Sequence, residues 1–314
     1  MTGFFNINDY GAALTMPCTR AFQAAIDAAD AANGTVLVPA GDYTVGTINL
    51  KGASLYLQKG ARLIGSPDIA DYPYIGYRHN EMGDVRSLLW TREHDGVRIY
   101  GEGTIDLNGR AFFDRDQRDV PHEGFSNAQI AECTLKIGAR PVQPILFLDC
   151  RHVAVEGVRI VDAPCWTLCF LHCEDVRVVD LDIENDRTIP NNDGMHFCGC
   201  NRVTVRGCHI DAGDDCIALS GISDWSRPCE NVTISDCVLR SCSKAIAIGY
   251  MHSIVRNVTV ANCLIRESNR GIVLMASTGT GLVENVLISN TRFDTRVRAG
   301  NWWGNGEPIC LMAT

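Results

Sequence analysis

The feature that most constrains this chain is an internal repeat in its second half. Six segments of eleven residues each carry Val-x-[Val/Ile], followed five positions later by an apolar residue. The alternation predicts a strand with one buried face. Because each unit is too short to bury that face alone, neighbouring units must stack. The starts are 23, 27, 29, 26 and 28 residues apart, at Cys150, Cys173, Cys200, Cys229, Val255 and Val283.

The spacing of the repeat selects an architecture. A turn of about 25 residues accommodates three short strands, as in a parallel β-helix. Helical repeats are excluded because no unit keeps a 3.6-residue apolar period over ten residues. Weaker copies lie upstream at 34–45, 53–64 and 97–105. The sequence therefore predicts an all-β fold, a single-stranded right-handed parallel β-helix, with about ten coils in a single domain over 1–314.

The two ends of such a solenoid need cover. Residues 19–33 are rich in alanine, place Phe22 and Ile26 on one helical face, and precede Gly34. They predict a helix that caps the first coil and blocks edge pairing. The last segment, 308–314, is strand-like and lacks a cap. Two interpretations stay open: a homo-oligomer covers the C-terminal edge, or the chain has been shortened.

The chain's fifteen cysteines have a simple explanation in this architecture. The first nine residues contain neither a basic segment nor a long apolar stretch, so we expect no signal peptide in the given chain and a cytoplasmic location. Disulfides are disfavoured there, and no zinc pattern is present. Cysteines at equivalent repeat positions predict inward-facing ladders of small apolar side chains. These positions are Cys150, Cys173, Cys200 and Cys229 in one ladder, and Cys208, Cys237 and Cys263 in another.

Charge and hydropathy exclude two classes of partner. The formal net charge is −9, whereas nucleic-acid binding needs clustered Lys and Arg. No run of about 18 apolar residues is present, so we expect no membrane span.

Carboxylates interrupt the repeat on two adjacent coils. Asp193 follows one repeat strand, and the pair Asp214 and Asp215 follows the next. Adjacent coils lie about 4.8 Å apart. Asp215, Lys244 and Arg270 each stand five residues after the last apolar residue of their unit, and an insertion brings Asp193 into the same phase. The sequence predicts an acidic cluster with basic neighbours on one face.

Such a cluster suits acid–base chemistry. Like charges raise the pKa of one carboxyl group and a nearby cation lowers that of another, so one residue type supplies both acid and base. Lys244 beside Asp215 would keep that carboxylate ionised. Carboxyl groups roughly 6.5–9.5 Å apart leave room for a water and give inversion at a sugar carbon. The alternative is structural, because Asn and Asp often fill solenoid turns.

The carboxylate motifs resemble a known family. Asn191-x-Asp193-Gly194 and Gly213-Asp214-Asp215-Cys216 are similar to the two motifs of glycoside hydrolase family 28, the polygalacturonase family. The resemblance implies a pectin-lyase-like β-helix and inverting hydrolysis of glycosidic bonds without a cofactor or metal. It also implies that Asp214 is the general acid, that Asp193 and Asp215 activate water, and that Asn191 helps to hold the site. Further similar stretches are 5–11, 34–44, 101–106 and 163–166.

Two departures from the family pattern concern the substrate. Lys244 stands where the family's polygalacturonases have the histidine of Gly-His-Gly, and Val273 and Met275 replace the cations of Arg-Ile-Lys, which grip a uronate. We therefore expect an exo-acting glycosidase on fragments of plant or microbial polysaccharide that is not a plain polygalacturonase. A neutral or deoxy sugar is the expected unit, although Lys244 or Arg270 meeting a carboxylate stays open.

Other side chains are candidates for substrate binding. His196 follows Asp193 by three residues and competes with a surface role, while Tyr250 and His252 follow Lys244 in a predicted loop. Paired tryptophans suit sugar rings. We favour packing for Trp166, and residues 78–81 and Trp90 lie in loops that can border the cleft. The predicted substrate-binding residues are Asn191, His196, Lys244, Tyr250, His252, Arg270, Trp302 and Trp303.

Two alternatives to hydrolysis remain at this stage. A polysaccharide lyase or epimerase on the same fold would use Lys244 or Arg270 as base and calcium on the aspartates. A non-catalytic carbohydrate-binding β-helix would not need the three aspartates.

Overall fold

The computed structural model describes residues 3–14, 17–118, 135–277, 279–297 and 304–313. Their strands form three long sheets in which successive coils pair in parallel. The predicted right-handed parallel β-helix is confirmed. Two antiparallel hairpins leave the solenoid, Arg78–His79 with Gly83–Asp84 and Phe113–Arg118 with Leu135–Ile137. Short 3-10 helices span Ile7–Tyr10, Ile69–Asp71 and Gly109–Phe112.

Each coil contributes one strand to each sheet. The first sheet consists of Phe4–Asn6, Thr35–Val38, Ser54–Leu57, Arg98–Gly101, Arg151–Glu156, Glu174–Val179, Asn201–Arg206, Cys229–Ser235, Ile254–Ala261 and Leu282–Ser289. The second consists of Gly41–Val45, Ala61–Gly65, Thr104–Asp106, Arg159–Val161, Asp182–Glu184, His209–Ala212, Val238–Ser241, Leu264–Ser268 and Arg292–Thr295. The third consists of Ile48–Asn49, Leu89–Arg92, Ile145–Leu148, Leu168–Leu171, Met195–Cys198, Ile217–Ser220, Lys244–Ile248, Arg270–Ala276 and Ile309–Ala313.

The core lies inside the solenoid and is built from residues that recur at the same register. Phe147, Phe170 and Phe197 stack on successive coils with ring centroids 5.2 and 5.1 Å apart. The repeat valines of the first sheet point into the same core. Strands of the third sheet such as Ile145–Leu148 are buried on both faces. The sequences of these strands are therefore continuous apolar runs and do not alternate between apolar and polar residues.

The cap and the cysteines follow the sequence predictions. The helix Thr19–Ala31 packs Phe22 and Ile26 into the first coils and is followed by Gly34. Of the fourteen described cysteines, all but Cys310 are buried. All seven cysteines of the two predicted ladders lie in the solenoid core, and Cys173 Sγ donates to the Phe147 carbonyl at 3.3 Å. Within the described ranges, no helix combines the length and the apolar character that a membrane span requires.

A ladder of asparagines lies near the start of four strands of the first sheet. Each side-chain amide donates to the oxygen of the asparagine one coil earlier, at 2.8, 3.0 and 2.8 Å. From Asn231 onward these residues are left-handed, with φ near 57° at Asn231 and Asn257. Asn adopts this conformation more readily than most residues do. This asparagine ladder comprises Asn201, Asn231, Asn257 and Asn285.

A second apolar cluster covers part of the third sheet from outside. Outward-facing side chains of the earlier strands, Leu146, Cys169 and Cys198 among them, pack under the early-chain residues Met82 and Val85. The later strands of the same sheet lack this cover over Ala218 and Ala247, which face a cavity. The cover therefore ends where the candidate site begins.

Candidate active site

The predicted site residues stand in one line across four coils. Met195, Ile217, Ile246 and Ile272 pair in register in the third sheet. Two residues before each of them stand Asp193, Asp215, Lys244 and Arg270 in turn. These four side chains therefore share the phase predicted from the sequence, at the turn from the second sheet into the third.

Two glycines allow the coils to approach at this turn. A Cβ on Gly194 would lie 2.4 Å from the Cys216 carbonyl oxygen, and one on Gly213 would lie 2.3 Å from Asn192 Oδ1. Asn192 Oδ1 accepts the Gly213 N–H at 2.8 Å. The glycines of both carboxylate motifs are thus required by close packing, which fixes each aspartate relative to the next coil.

The carboxylate cluster, Asp193, Asp214 and Asp215, is compact and buried. One oxygen from each lies within 4.8 Å of the others, and the exposed fractions are 3, 7 and 7%. Burial, then the charges of its neighbours, raises the pKa of Asp193 and of Asp214 well above the ordinary value. The oxygens are closer than the roughly 6.5–9.5 Å of an inverting pair. Spacing therefore does not by itself assign the stereochemistry.

Lys244 supplies the counter-charge. Its Nζ lies 2.8 and 2.9 Å from the two oxygens of Asp215, and its backbone N–H donates to the same carboxylate. Burial works to lower the pKa of Lys244, but the surrounding aspartates outweigh it and raise the pKa. The three oxygens are close enough to hold a metal ion. The Lys244 ammonium, however, already contacts both oxygens of Asp215, one of the three possible metal ligands.

His196 lies inside the site rather than at the surface. It is 3% exposed, its ring stacks on Trp166 with centroids 3.6 Å apart, and its Nε2 is 2.9 Å from Asp193 Oδ2. That contact is misaligned for a hydrogen bond, so among the described residues neither ring nitrogen has a partner. Burial lowers the pKa of His196 to about 3, so the ring is neutral. Neutral imidazole nitrogens facing the cluster suit a sugar hydroxyl or a water.

The cavity beside the cluster contains many of the predicted residues. Asn191 and Tyr250 line it together with His196, Lys244 and Arg270. His252 is not brought to it, because it is exposed and bonds Thr280 at 2.7 Å. Trp302 and Trp303 lie outside the described residues.

The side of the cavity nearest Arg270 is electrically neutral. Arg270 Nε and Nη2 reach the carboxylate of Glu307 at 3.1 and 3.3 Å, so its charge is balanced. Ala218, Ala247 and Met275 form an apolar wall beside it. Met275 occupies the position where the resemblance places a lysine. Both cations in the described lining of the cavity, Lys244 and Arg270, are thus paired with acids.

Sequence reasoning missed several cavity residues or gave them little weight. Glu81 belongs to the segment 78–81 that was expected to border the cleft, and it reaches the cavity from the early hairpin together with the unpredicted Met82. Trp166 lines the cavity while being only 4% exposed. Trp166 is packed, as expected, but the surface it packs against is part of the site. Ser220 and Ile222 also contribute. For Ser220, the sequence feature that could have predicted its place in the cavity is its outward-facing position in the repeat of the third sheet.

Comparisons with known proteins agree with these features. The family model for glycosyl hydrolases family 28 matches residues 29–296. An exopolygalacturonase of Platanus acerifolia is 27% identical over 235 residues, 74% of this chain and 55% of that protein. An exopolygalacturonase of Zea mays is 25% identical over 69% of this chain and 49% of its own length. The chain thus spans about half the length of these curated relatives.

Solved structures share the fold. An exopolygalacturonase from Thermotoga maritima superposes with a TM-score of 0.73 at 23% identity, covering 91% of this chain and 75% of that one. A family 28 exopolygalacturonase of Yersinia enterocolitica gives 0.74 at 19% identity, covering 100% and 66%. At these identities the likeness establishes architecture.

Proposed function

Because the chain belongs to glycosyl hydrolase family 28, we propose that it is an inverting, exo-acting glycosidase on fragments of plant or microbial polysaccharide. The observation that carries the proposal is the buried carboxylate cluster with its lysine, facing a cavity. A purely structural turn would not bury three carboxyl groups within 4.8 Å of one another.

The proposed division of labour follows from the environment of each carboxyl group. Asp214 has a raised pKa and lacks the direct lysine contact that Asp215 has, so it keeps a proton for the leaving oxygen. Asp215, held by Lys244, carries the negative charge that draws a proton from water, with Asp193 beside it. This is general acid–base catalysis by one residue type in two settings. Inversion is proposed on the family resemblance.

The proposed substrate is a sugar without a carboxylate at the cleaved position, neutral or deoxy. Both cations that line the described cavity are already paired, Lys244 with Asp215 and Arg270 with Glu307. A sugar carboxylate would therefore be buried without a free counter-charge, which is costly. Exo action is supported by the curated exopolygalacturonase relatives and by the early-chain cover that ends at the cavity.

The test is a screen of oligosaccharides and aryl glycosides with different terminal sugars, reading the first-formed product anomer by NMR. We expect an anomer opposite to that of the substrate, and a rate lower by about 10³-fold with Asp214→Asn. Retained configuration would refute inversion, and undiminished activity of Asp214→Asn would refute the cluster's role.

The same screen addresses the alternatives. An unsaturated product that forms only with calcium would instead support a lyase, for which the cluster's oxygen spacing is suitable. Binding of a glycan with no product from any substrate would support a non-catalytic β-helix.

A further inference from the structure

The early hairpin reaches the cavity as a fixed element. Arg78–His79 pairs with Gly83–Asp84, and Arg78 Nη1 lies 2.6 Å from Asp84 Oδ1. At the tip, the backbone N–H groups of Glu81 and Met82 both donate to Nδ1 of His79 at 3.2 Å. His79 is fully buried. The tip residues are therefore held from below by a buried side chain.

That buried histidine links the hairpin to the carboxylates. The ring of His79 lies edge-on to Trp166 at 5.2 Å, and Trp166 stacks on His196, which faces Asp193. Close packing transmits position through such a stack. Glu81 is thus placed relative to the carboxylate cluster although more than a hundred residues separate them in sequence.

Glu81 and Tyr250 line the same cavity. Burial first, then the negative charge of Glu81, raises the pKa of the Tyr250 hydroxyl. Tyr250 follows the strand Lys244–Ile248, two coils after the strand that carries His196. The Glu81–Tyr250 pair therefore joins an early loop to a late one beside the carboxylates, at the end where the cover of the third sheet stops.

Glu81 also adds a fourth carboxylate to a cavity whose two cations are paired with other acids. We propose that Glu81 is a specificity-determining residue: it closes one end of the cavity, accepts hydrogen bonds from hydroxyls of the terminal sugar, and rejects a sugar carboxylate. This inference rests on the proposed function, and it names the residue that selects the substrate class.

The experiment compares Glu81→Gln, which keeps the shape and removes the charge, with wild type. The probes are galactose and galacturonate, which differ only at C6, titrated by calorimetry into the Asp214→Asn background. We expect Glu81→Gln to strengthen galacturonate binding by about tenfold, because the substitution removes a negative charge that lines the cavity, although Glu81 is partly screened by solvent. Galactose binding should change less than about threefold, since the amide oxygen still accepts hydrogen bonds.

A matched control is Glu102→Gln, an exposed glutamate in the turn between the first and second sheets and not among the cavity residues. It should leave both affinities unchanged. An unchanged ratio of the two affinities in Glu81→Gln, or an equal gain in Glu102→Gln, overturns the proposal. Tyr250→Phe should weaken galactose binding without admitting galacturonate.

Measuring turnover distinguishes a failure of the Glu81 proposal from a failure of the proposed glycosidase function. On whichever oligosaccharide the screen identifies, Glu81→Gln should raise kcat/KM for the uronate-terminated analogue relative to the neutral one. If wild type turns over no glycan, the proposed function fails, while the binding ratio still decides the role of Glu81.

Discussion

The asparagine ladder and the carboxylate cluster use the same stacking geometry with opposite results. Both place like side chains on successive coils, about 4.8 Å apart. An amide is donor and acceptor at once, so each asparagine bonds the next at 2.8–3.0 Å. Ionised carboxylates have no donor, so the cluster is left with repulsion that burial strengthens.

The carboxylate cluster lowers the stability of this solenoid, whereas the asparagine ladder does not. A coil position that repeats an amide is self-satisfied and is found on the solvent-exposed surface. A position that repeats a carboxylate is buried and needs Lys244 to balance it. Strain of this kind persists where function requires it. The two regions should therefore respond in opposite ways to exchanges between Asp and Asn.

The largest effect is expected for Asp214→Asn, in the carboxylate cluster. We expect kcat to fall about 10³-fold, since a general acid contributes roughly 10²–10⁴. The melting temperature should rise, because a buried repulsive carboxyl becomes an amide. Rates on the screened substrate and calorimetric melting check both effects. Lower stability with lost activity would contradict the idea that this site trades stability for chemistry.

Removing the counter-charge should cost stability instead. Lys244→Met leaves Asp215 buried without its partner, and breaking a buried pair costs about 3–5 kcal/mol. Chemical denaturation measures the loss. The double variant Lys244→Met with Asp215→Asn is the control and should recover most of it. A loss as large in the double variant would show that the lysine acts by packing alone.

The pH dependence separates the two regions further. Asp193 and Asp214 have raised pKa values in the fold, so the folded chain holds their protons more tightly than the unfolded chain does. Their contribution to stability is therefore full near pH 3 and declines as pH rises above about 4, the unfolded value. Asp193→Asn with Asp214→Asn should gain on wild type between pH 4 and 8, by more than about 1 kcal/mol.

Melting curves across that range provide the measurement. Burial lowers the pKa of His79 to about 4 and that of His196 to about 3. Both histidines titrate at or below about pH 4, so the comparison is made above that pH, where they are neutral in both proteins. A difference between variant and wild type that stays flat with pH would contradict the raised pKa values.

The smallest expected effect is in the ladder. Asn257→Asp keeps an acceptor for Asn285 but loses the donor to Asn231, which costs about 1 kcal/mol at pH 7. Aspartate tolerates the left-handed backbone at this position. Near pH 3 the protonated carboxyl again donates, and the loss should shrink. Denaturation at the two pH values checks this, and an equal loss at both would indicate backbone strain rather than the amide bond.

The repeating strands could be predicted from the sequence, whereas contacts between loops that are distant in sequence could not. Alternating valines identified the strands of the first sheet, and counting from Ile210 and Leu239 placed Asp215 and Lys244 on one line. Strands such as Ile145–Leu148 are buried on both faces and carry no alternation to detect.

The position of Glu81 depends on tertiary packing of His79 on Trp166, which no local pattern encodes. Likewise, His252 follows Tyr250 closely, yet only Tyr250 turns into the cavity. The roles of these residues remain predictions for the variants above.

The ladder of parallel strands also determines how the molecule would respond to force. Its backbone hydrogen bonds link each coil only to the coils before and after it, along the long axis. Tension along that axis loads a few bonds at a time, as in a zipper. Each detached coil of about 27 residues would release roughly 90 Å of extended chain. Stretched in an optical trap, the protein would lengthen in near-equal steps, one for every turn of the solenoid.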